Sequence, residues 1–393
     1  MLFVRNIFSD LKDHLENKQV TVLTGMRRTG KTTLVKQLMA ASVIRQKIYF
    51  DLERIDNREL FSEKNYDNII LALTQRGVVF SEKVLIALDE IQLVPNLPSV
   101  VKYLYDTYDI KFLLTGSSSY YIKNRFNESL AGRKKIFEIF SLSFNELLRF
   151  KGIEFARLDS LSDQPFIAAT YEQLKNYYDE YINFGGFPEV VLTNKISDKK
   201  DMLMDILSSY VNLDIGSITD FKKSSDCYKL IKLLAVRIGS KLDISKLSVL
   251  TTLSRSNIEH YLDLFEQSYL IRTIPVTSTS PDREIVKAKK LYFLDNGIAA
   301  VSAELNSGSK FENAVFNQLH PFGEVSYYQL KTGKEIDFII NKNMAFEVKE
   351  AAYDNDLKNL KNLAKNLGID NCFIIGRHPN NLFNGFLWGG FIQ

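Results

Sequence analysis

Between Gln19 and Met39 the chain reads QVTVLTGMRRTGKTTLVKQLM. Gln19 to Thr24 carries β-branched residues in alternation, and Leu34, Val35 and Leu38 recur at helical spacing. Between them Gly25 to Thr32 spells G-x-x-x-x-G-K-T. A strand, a glycine loop and a helix start in that order leave little freedom. Backbone N–H groups in such a loop wrap an anion, and the helix start adds roughly half a positive charge. Lys31 is expected to reach the β- and γ-phosphates and the Thr32 hydroxyl to sit on Mg²⁺, while Gly25, Arg28, Thr29, Gly30 and Thr33 line the cradle. ATP with Mg²⁺ is the expected ligand.

Two later strands sharpen this expectation. KVLIALDEIQ is an apolar strand, Val84 to Leu88, that ends in Asp89 and Glu90. At such a strand end an acid holds Mg²⁺ (Asp89) and a following glutamate orients the attacking water (Glu90). IKFLLTGSSS ends in Thr115, Gly116, Ser117 and Ser118, so Ser117 is a candidate for sensing the γ-phosphate. Arg133, in SLAGRKK, is a candidate for stabilising phosphate charge in its own subunit or a neighbouring one; in the second case the chain would act as a homo-oligomer. Strands alternate with helices up to about Phe150. That pattern predicts a mostly parallel sheet covered on both faces, with the ligand at the carboxyl ends of the strands.

The length of 393 residues predicts two or three domains, and 45% hydrophobic content suffices for more than one core. No run reaches the roughly 18 apolar residues of a membrane span. The opening MLFVRNIFSDLKDHL is charged too early for a secretory leader. Two distant cysteines, Cys227 and Cys372, exclude a disulfide framework and fit a reducing cytoplasm. The net charge of +3 decides nothing, so any nucleic-acid argument rests on local charge.

Gly152 to about Asp220 reads as a helical connector, broken at Gly185, Gly186 and Pro188. Beyond it, a short helix near Ile244 to Leu250 leads to a second helix N-capped by Ser254. Ile258, Tyr261, Leu262 and Phe265 form its apolar face, and a strand from Tyr269 to Val276 follows. Two helices and a hairpin make a winged helix-turn-helix pattern, which would offer Arg255, Ser256, Asn257 and His260 to a groove of DNA. Lys222, Lys223, Lys229, Lys232, Arg237, Lys241, Lys246 and Arg255 face only Asp226 and Asp243 across this stretch, the excess that phosphate neutralisation needs. A winged module that only packs or binds protein remains the alternative.

The last third orders helix, three strands, helix, strand: KFENAVFNQL, EVSYYQL, EIDFII, MAFEVKE, LKNLKNLAKNL and CFIIGR. Folding EIDFIINKNMAFEVKE about Lys342 sets Ile340 against Met344, Phe338 against Phe346 and Ile336 against Val348. The other face then pairs Asp337 with Glu347 and Glu335 with Lys349. Two carboxylates about 4 Å apart repel by about 4 kcal/mol at an effective dielectric near 20. A proton, an open solvated edge or a cation must offset that, and a hard divalent ion is the economical choice; Glu312 from the preceding helix could then complete its shell, and Lys349 could stabilise developing phosphate charge or position a water.

This element order, with Glu312, Asp337 and EVK, resembles the PD-(D/E)xK nuclease superfamily over roughly the last hundred residues. The resemblance implies a restriction-endonuclease-like αβββαβ domain and Mg²⁺-dependent phosphodiester hydrolysis, with Asp337 and Glu347 as ligands and Lys349 as the catalytic lysine. The whole chain also resembles a broad family of prokaryotic AAA-type P-loop ATPases, through GMRRTGKTTL, LDEIQ, LTGSSS, SLAGR, GGFPE and KLYFLDNGIAA. Met26 stands where relatives carry proline, a position that supplies backbone only. The expected plan is α/β: an ATPase domain at 1–155, a helical connector at 156–220, a winged helix-turn-helix at 221–295 and a nuclease-like domain at 296–393. The expected function is ATP binding and hydrolysis coupled to action on DNA. The alternative is an ATP-dependent switch whose carboxy-terminal domains bind nucleic acid or protein without cleavage.

Overall fold

The computed structural model describes residues 3–117, 130–154, 166–216, 224–278, 284, 287–380 and 382–392. Ser118, Lys222 and Lys223 lie outside the described residues. The chain divides into two compact units, Met1–Phe140 with Gln267–Tyr269, and Ser141–Glu266 with Leu270–Gln393.

The first unit contains helix α1 (Phe8–His14), strand β1 (Val20–Thr24), α2 (Lys31–Ala41), β2 (Gln46–Asp51), α3 (Ile55–Ser62), α4 (Tyr66–Gln75), β3 (Val84–Asp89), α5 (Leu97–Thr107), β4 (Ile110–Gly116) and β5 (Lys134–Glu138). The sheet order is β2-β3-β4-β1-β5, and every neighbouring pair is parallel. Central strands of a parallel sheet are covered on both faces, so they read as continuous apolar runs rather than alternating ones. VLIALD and VTVLT are such runs, and both are buried throughout. Their side chains divide between two cores. Val84, Ile86 and Leu88 pack with α3, α4 and α5, whereas Leu85 and Ala87 pack with Leu34, Val35 and Leu38 of α2. Lys111 breaks the apolar run of β4 yet is fully buried. Its ammonium donates to the carbonyl oxygens of His14 (2.7 Å), Asn17 (2.7 Å) and Gln19 (2.6 Å), fastening the turn after α1 to the sheet.

The second unit begins with helices α6 (Phe144–Phe150), α7 (Ala168–Phe184), α8 (Pro188–Leu192) and α9 (Ile196–Ser209), followed by α10 (Ser224–Ala235), α11 (Ile244–Thr251) and α12 (Arg255–Gln267). Strands β6 (Ile271–Ile274) and β7 (Lys290–Phe293) pair antiparallel as a two-stranded ribbon. Then come α13 (Asn296–Ser302), α14 (Ser307–Leu319), β8 (Val325–Gln329), β9 (Glu335–Ile340), β10 (Met344–Ala351), α15 (Asp354–Ala364), β11 (Asn371–His378) and β12 (Phe386–Trp388). The second sheet is mixed, in the order β12-β11-β10-β9-β8, with β8, β9 and β10 antiparallel and β11 and β12 parallel to β10. Strand β12 was not anticipated, because FLW is too short to carry a periodicity.

Two landmarks of the sequence interlock here. α7 stops at Phe184, Gly185 takes φ +68°, and α8 restarts at Pro188. Asp295 caps α13 by accepting from Ile298 N at 3.1 Å, and its other oxygen accepts from Gly186 N at 2.9 Å. A Cβ on Gly186 would stand 2.1 Å from the carbonyl oxygen of Leu142, and one on Gly297 would stand 2.3 Å from that of Phe184. Both obstacles are backbone and cannot swing aside. Gly186→Ala is therefore expected to destabilise this unit by about 2 kcal/mol or more, read as a lower urea midpoint with unchanged slope. A midpoint equal to wild type would mean the Leu142 segment yields freely.

Candidate functional sites

The glycine loop after β1 holds its expected shape through backbone conformations that most side chains resist. Arg28 has φ +63° and Gly30 φ +92°. A Cβ on Gly25 would fall 2.1 Å from the carbonyl oxygen of Ile139. Gly30 ends the loop as the N-cap of α2. Lys31 is buried and its ammonium donates to the carbonyl oxygens of Gly25 (2.8 Å) and Met26 (2.9 Å), folded back over the loop it serves. Thr29 is buried and its hydroxyl donates to Met26 O at 2.9 Å, whereas Arg28 and Thr33 are exposed.

Parallel strands bring the remaining groups to the same carboxyl edge. The Thr32 hydroxyl donates to Asp89 Oδ2 at 2.6 Å, so the two oxygen groups expected on Mg²⁺ are adjacent. The set is oxygen-only and includes a buried carboxylate, the donor chemistry Mg²⁺ takes. Four further residues hold this edge, and sequence reasoning missed their part in it. Tyr49, from β2, donates its hydroxyl to the same Asp89 oxygen at 2.7 Å. Burial and the Asp89 hydrogen bond raise the Tyr49 pKa far above its ordinary value, so the phenol stays a donor. Thr115 donates to the other Asp89 oxygen and accepts from Glu90 N at 3.1 Å. Gln92 donates to Glu90 Oε2 and to Ser117 Oγ (3.1 Å), linking the two groups expected around the γ-phosphate. Arg5, 8% exposed, joins the carbonyl oxygens of Thr29 and Phe140 at 2.9 Å each and so pins the loop. No motif marks Arg5 or Tyr49, because each acts through a partner distant in sequence, and Gln92, though it closes the landmark LDEIQ, carries no expected role.

Arg133 departs from the expectation for its own subunit. Its carbonyl accepts from Val20 N, at the start of β1, and its side chain pairs with Asp106 at 2.9 Å. The phosphate loop follows the far end of that strand, about 13 Å along it. An arginine that precedes a parallel strand is carried to the sheet edge opposite the loop.

Tyr49→Phe removes one donor from Asp89 without changing shape. Phosphate release from ATP is expected to fall about tenfold, with more Mg²⁺ needed for half-maximal rate. An unchanged Mg²⁺ titration would reduce Tyr49 to packing.

The second group of candidates lies in the second unit. The hairpin register is the expected one as far as it runs: Met344 opposite Ile340, Ala345 opposite Ile339 and Phe346 opposite Phe338. There the ladder ends. β9 continues beside β8, with Gln329 opposite Glu335, while β10 continues beside β11, with Lys349 opposite Gly376. The strands fork, so the expected cross-strand pairs of Asp337 with Glu347, of Ile336 with Val348 and of Glu335 with Lys349 do not form in the ladder. Each strand takes its outer neighbour instead. Asp337 fills the fork by accepting from Val348 N at 2.9 Å through its carboxylate. Glu335 pairs with Lys290 at 3.2 Å and accepts from Gln329 at 3.0 Å, and Lys349 pairs with Glu347 at 2.8 Å.

Glu312, on α14, accepts from the Tyr292 hydroxyl at 2.7 Å. Burial and then the Asp337 charge push both Glu312 and Glu347 up to about 7. Burial likewise raises Asp337. Burial opposes the charge on Lys349, but the Glu347 carboxylate outweighs it, and the lysine's pKa rises. Glu312, Asp337 and Glu347 thus share one electrostatic environment. Among the described residues, however, no three Asp, Glu, His or Cys side chains are gathered into a ready metal-holding group. The oxygen donors are of the kind a hard divalent ion takes, and the ammonium groups of Lys290 and Lys349 stand among the carboxylates.

Arg255, Ser256, Asn257 and His260 are all exposed on the first turns of α12, opposite buried Ile258, Tyr261, Leu262 and Phe265. Ser254 Oγ accepts from Asn257 N at 3.1 Å, the expected cap.

Comparison with known proteins fits this division. Residues 17–148 match the family model of an AAA domain. The amino-terminal third is an AAA-type P-loop domain. Residues 175–309 and 307–385 match two domains of unknown function, DUF8612 and DUF4143. An uncharacterized protein of Methanocaldococcus jannaschii is 28% identical over 380 residues, 92% of this chain and 82% of its own length. An uncharacterized protein of Haemophilus influenzae is 27% identical over 380 residues, 91% of this chain and 90% of its own. Among solved structures, the Aeropyrum pernix ORC2 protein in ADPNP–ADP complexes is 13% identical at a TM-score of 0.40, over 75% of this chain and 91% of its own. The Aeropyrum pernix ORC1 protein in complex with DNA is 12% identical at 0.32, over 77% and 93%. Scores of that size lie below those of a shared fold. Among the described residues no helix is long and apolar enough to cross a membrane.

Proposed function

We propose that the AAA-type domain binds and hydrolyses ATP and that the second unit acts on DNA, cutting it at the acidic fork. The observation that carries the first half is the convergence at one sheet edge of Lys31, Thr32, Asp89, Glu90 and Ser117, two of them joined through Gln92. In this reading Lys31 leaves its loop carbonyls for the β- and γ-phosphates, Asp89 with Thr32 holds Mg²⁺, and Glu90 orients the attacking water. In this reading Arg133 acts on the nucleotide of a neighbouring copy, and the working form is a homo-oligomer.

For the second unit we read α10 to β7 as a winged helix-turn-helix that presents Arg255, Ser256, Asn257 and His260 to DNA. We read α14 to β11 as a PD-(D/E)xK-like domain, with boundaries near 156, 221 and 296 for connector, winged module and nuclease-like domain. Asp337 and Glu347 would hold a divalent ion, with Glu312 as a third donor. The ion, when bound, supplies Lewis acidity at the scissile phosphate. Lys349, half-exposed beside Glu347, is free on one side to meet developing negative charge. What supports this half is that Asp337 accepts from Val348 N, next to Glu347, and Lys349 pairs with Glu347, so two carboxylates and a lysine lie close together where the strands separate. A reducing, cytoplasmic setting is supported by two free, buried cysteines.

A second reading keeps ATP binding and drops cleavage, leaving the second unit to recognise nucleic acid or protein. One observation favours it: the fork carboxylates already have internal partners, in Val348 N, Tyr292 and Lys349. Incubating the full chain with labelled single-stranded, duplex and branched DNA in Mg²⁺ or Mn²⁺ separates the two. Cleavage that needs the ion supports the first reading, and its absence on all substrates leaves the second.

A further inference from the structure

The segment KLYFLDNGIAA has no part in the reaction proposed above, yet its strand β7 sends two side chains to the acidic fork. Tyr292 donates to Glu312 at 2.7 Å. Lys290 is only 2% exposed, and its ammonium lies 3.2 Å from Glu335 Oε1 and 3.9 Å from Asp337 Oδ1. It also stands 5.3 Å from the centre of the Tyr327 ring. β7 pairs with β6 along its length and Lys290 bridges to Lys241, so the backbone that carries this ammonium is fixed. With 2% exposure it offers no surface to a phosphate arriving from solvent. Its targets are the acids beside it.

The charges do not cancel. Glu312, Glu335, Asp337 and Glu347 face Lys290 and Lys349, four carboxylates against two ammonium groups, so two negative charges are left when all are ionised. Two is also the charge of a divalent ion. Because Lys290 is buried, solvent and salt screen its influence on that ion weakly.

We propose that Lys290 is a built-in counter-cation of the fork: it engages Glu335 and Asp337 while no divalent ion is bound, and its charge limits how tightly such an ion is held. This rests on reading the fork as a divalent-cation site. A fixed ammonium repels an incoming cation and competes with it for the Asp337 oxygen. Removing the ammonium while keeping the side-chain bulk should leave a more negative gap that takes a divalent ion more strongly.

The test is Mn²⁺ titration of the full-length, nucleotide-free protein, followed by electron paramagnetic resonance, with thermal melting in parallel. Wild type is expected to bind Mn²⁺ in a way that Asp337→Asn removes. Lys290→Met is expected to bind it at least about tenfold more tightly. If Lys290→Met binds with wild-type or weaker affinity while Asp337→Asn still abolishes binding, the counter-cation role is wrong and the divalent site stands. If neither wild type nor Lys290→Met shows binding that depends on Asp337, the site itself is wrong and this role falls with it. A Lys290→Met protein that folds only with Mn²⁺ present supports the proposal, since the ion then supplies the missing positive charge. One that stays unfolded at saturating Mn²⁺ overturns it.

Discussion

Lys31→Ala is expected to lower ATP turnover by about 10²–10³-fold or more while leaving the protein folded. Lys31 is the first residue of α2 and is buried against the loop, where it donates to Gly25 O and Met26 O. Those two bonds place the ammonium within reach of the cradle. With nucleotide bound, its charge meets the β- and γ-phosphates and is most valuable when negative charge builds in the transition state. Alanine removes that charge but spares the features that shape the loop, which are the left-handed Arg28 and Gly30 and the Arg5 clamp on Thr29 O. Melting temperature should therefore change little while phosphate release collapses. Turnover equal to wild type would overturn the assignment of the loop, and with it the reading of Asp89 and Glu90.

Lys349→Ala is expected to abolish DNA cleavage, by about 10²-fold or more, with ATP turnover and DNA binding retained. In the structure Lys349 lies on β10 beyond the point where β9 and β10 separate, and it holds Glu347 at 2.8 Å. Its loss acts twice. The positive charge available to the scissile phosphate disappears, and Glu347, already pushed up to about 7 by burial and Asp337, loses a favourable neighbour and protonates more readily. A protonated Glu347 is a poorer ligand for a divalent ion. Both effects point the same way, so the expected loss is large. A Lys349→Ala protein that cuts at the wild-type rate would remove the lysine from the mechanism. A wild type that cuts nothing would remove cleavage and leave the switch.

Much of the first unit could be read from the sequence because its information is local. The glycine loop, the strand before it and the helix after it are contiguous, and Val84–Leu88 followed by Asp89 and Glu90 announces its own strand and its polar end. Parallel topology then forces both acids and Ser117 to the loop's edge, since every strand in the sheet ends on that side. α14, β8 to β11 and α15 were legible for a similar reason, and so was the hairpin turn, where Asn341 and Lys342 take positive φ.

The sequence by itself determined the chemical vocabulary: a phosphate loop, an acid pair at a strand end, exposed polar residues at the start of α12 and carboxylates with a lysine on two adjoining strands. Tertiary structure alone decided who partners whom. It carried Arg133 to the sheet edge away from the phosphate loop, gave Asp89 a phenol from a neighbouring strand, and forked β9 from β10 so that Glu335 meets Lys290 instead of Lys349. The physical reason is range. Periodicity and turn chemistry act over a few residues, whereas an ion pair or hydrogen bond between residues tens of positions apart depends on which strands become neighbours, and a single forked ladder is enough to exchange every partner beyond it.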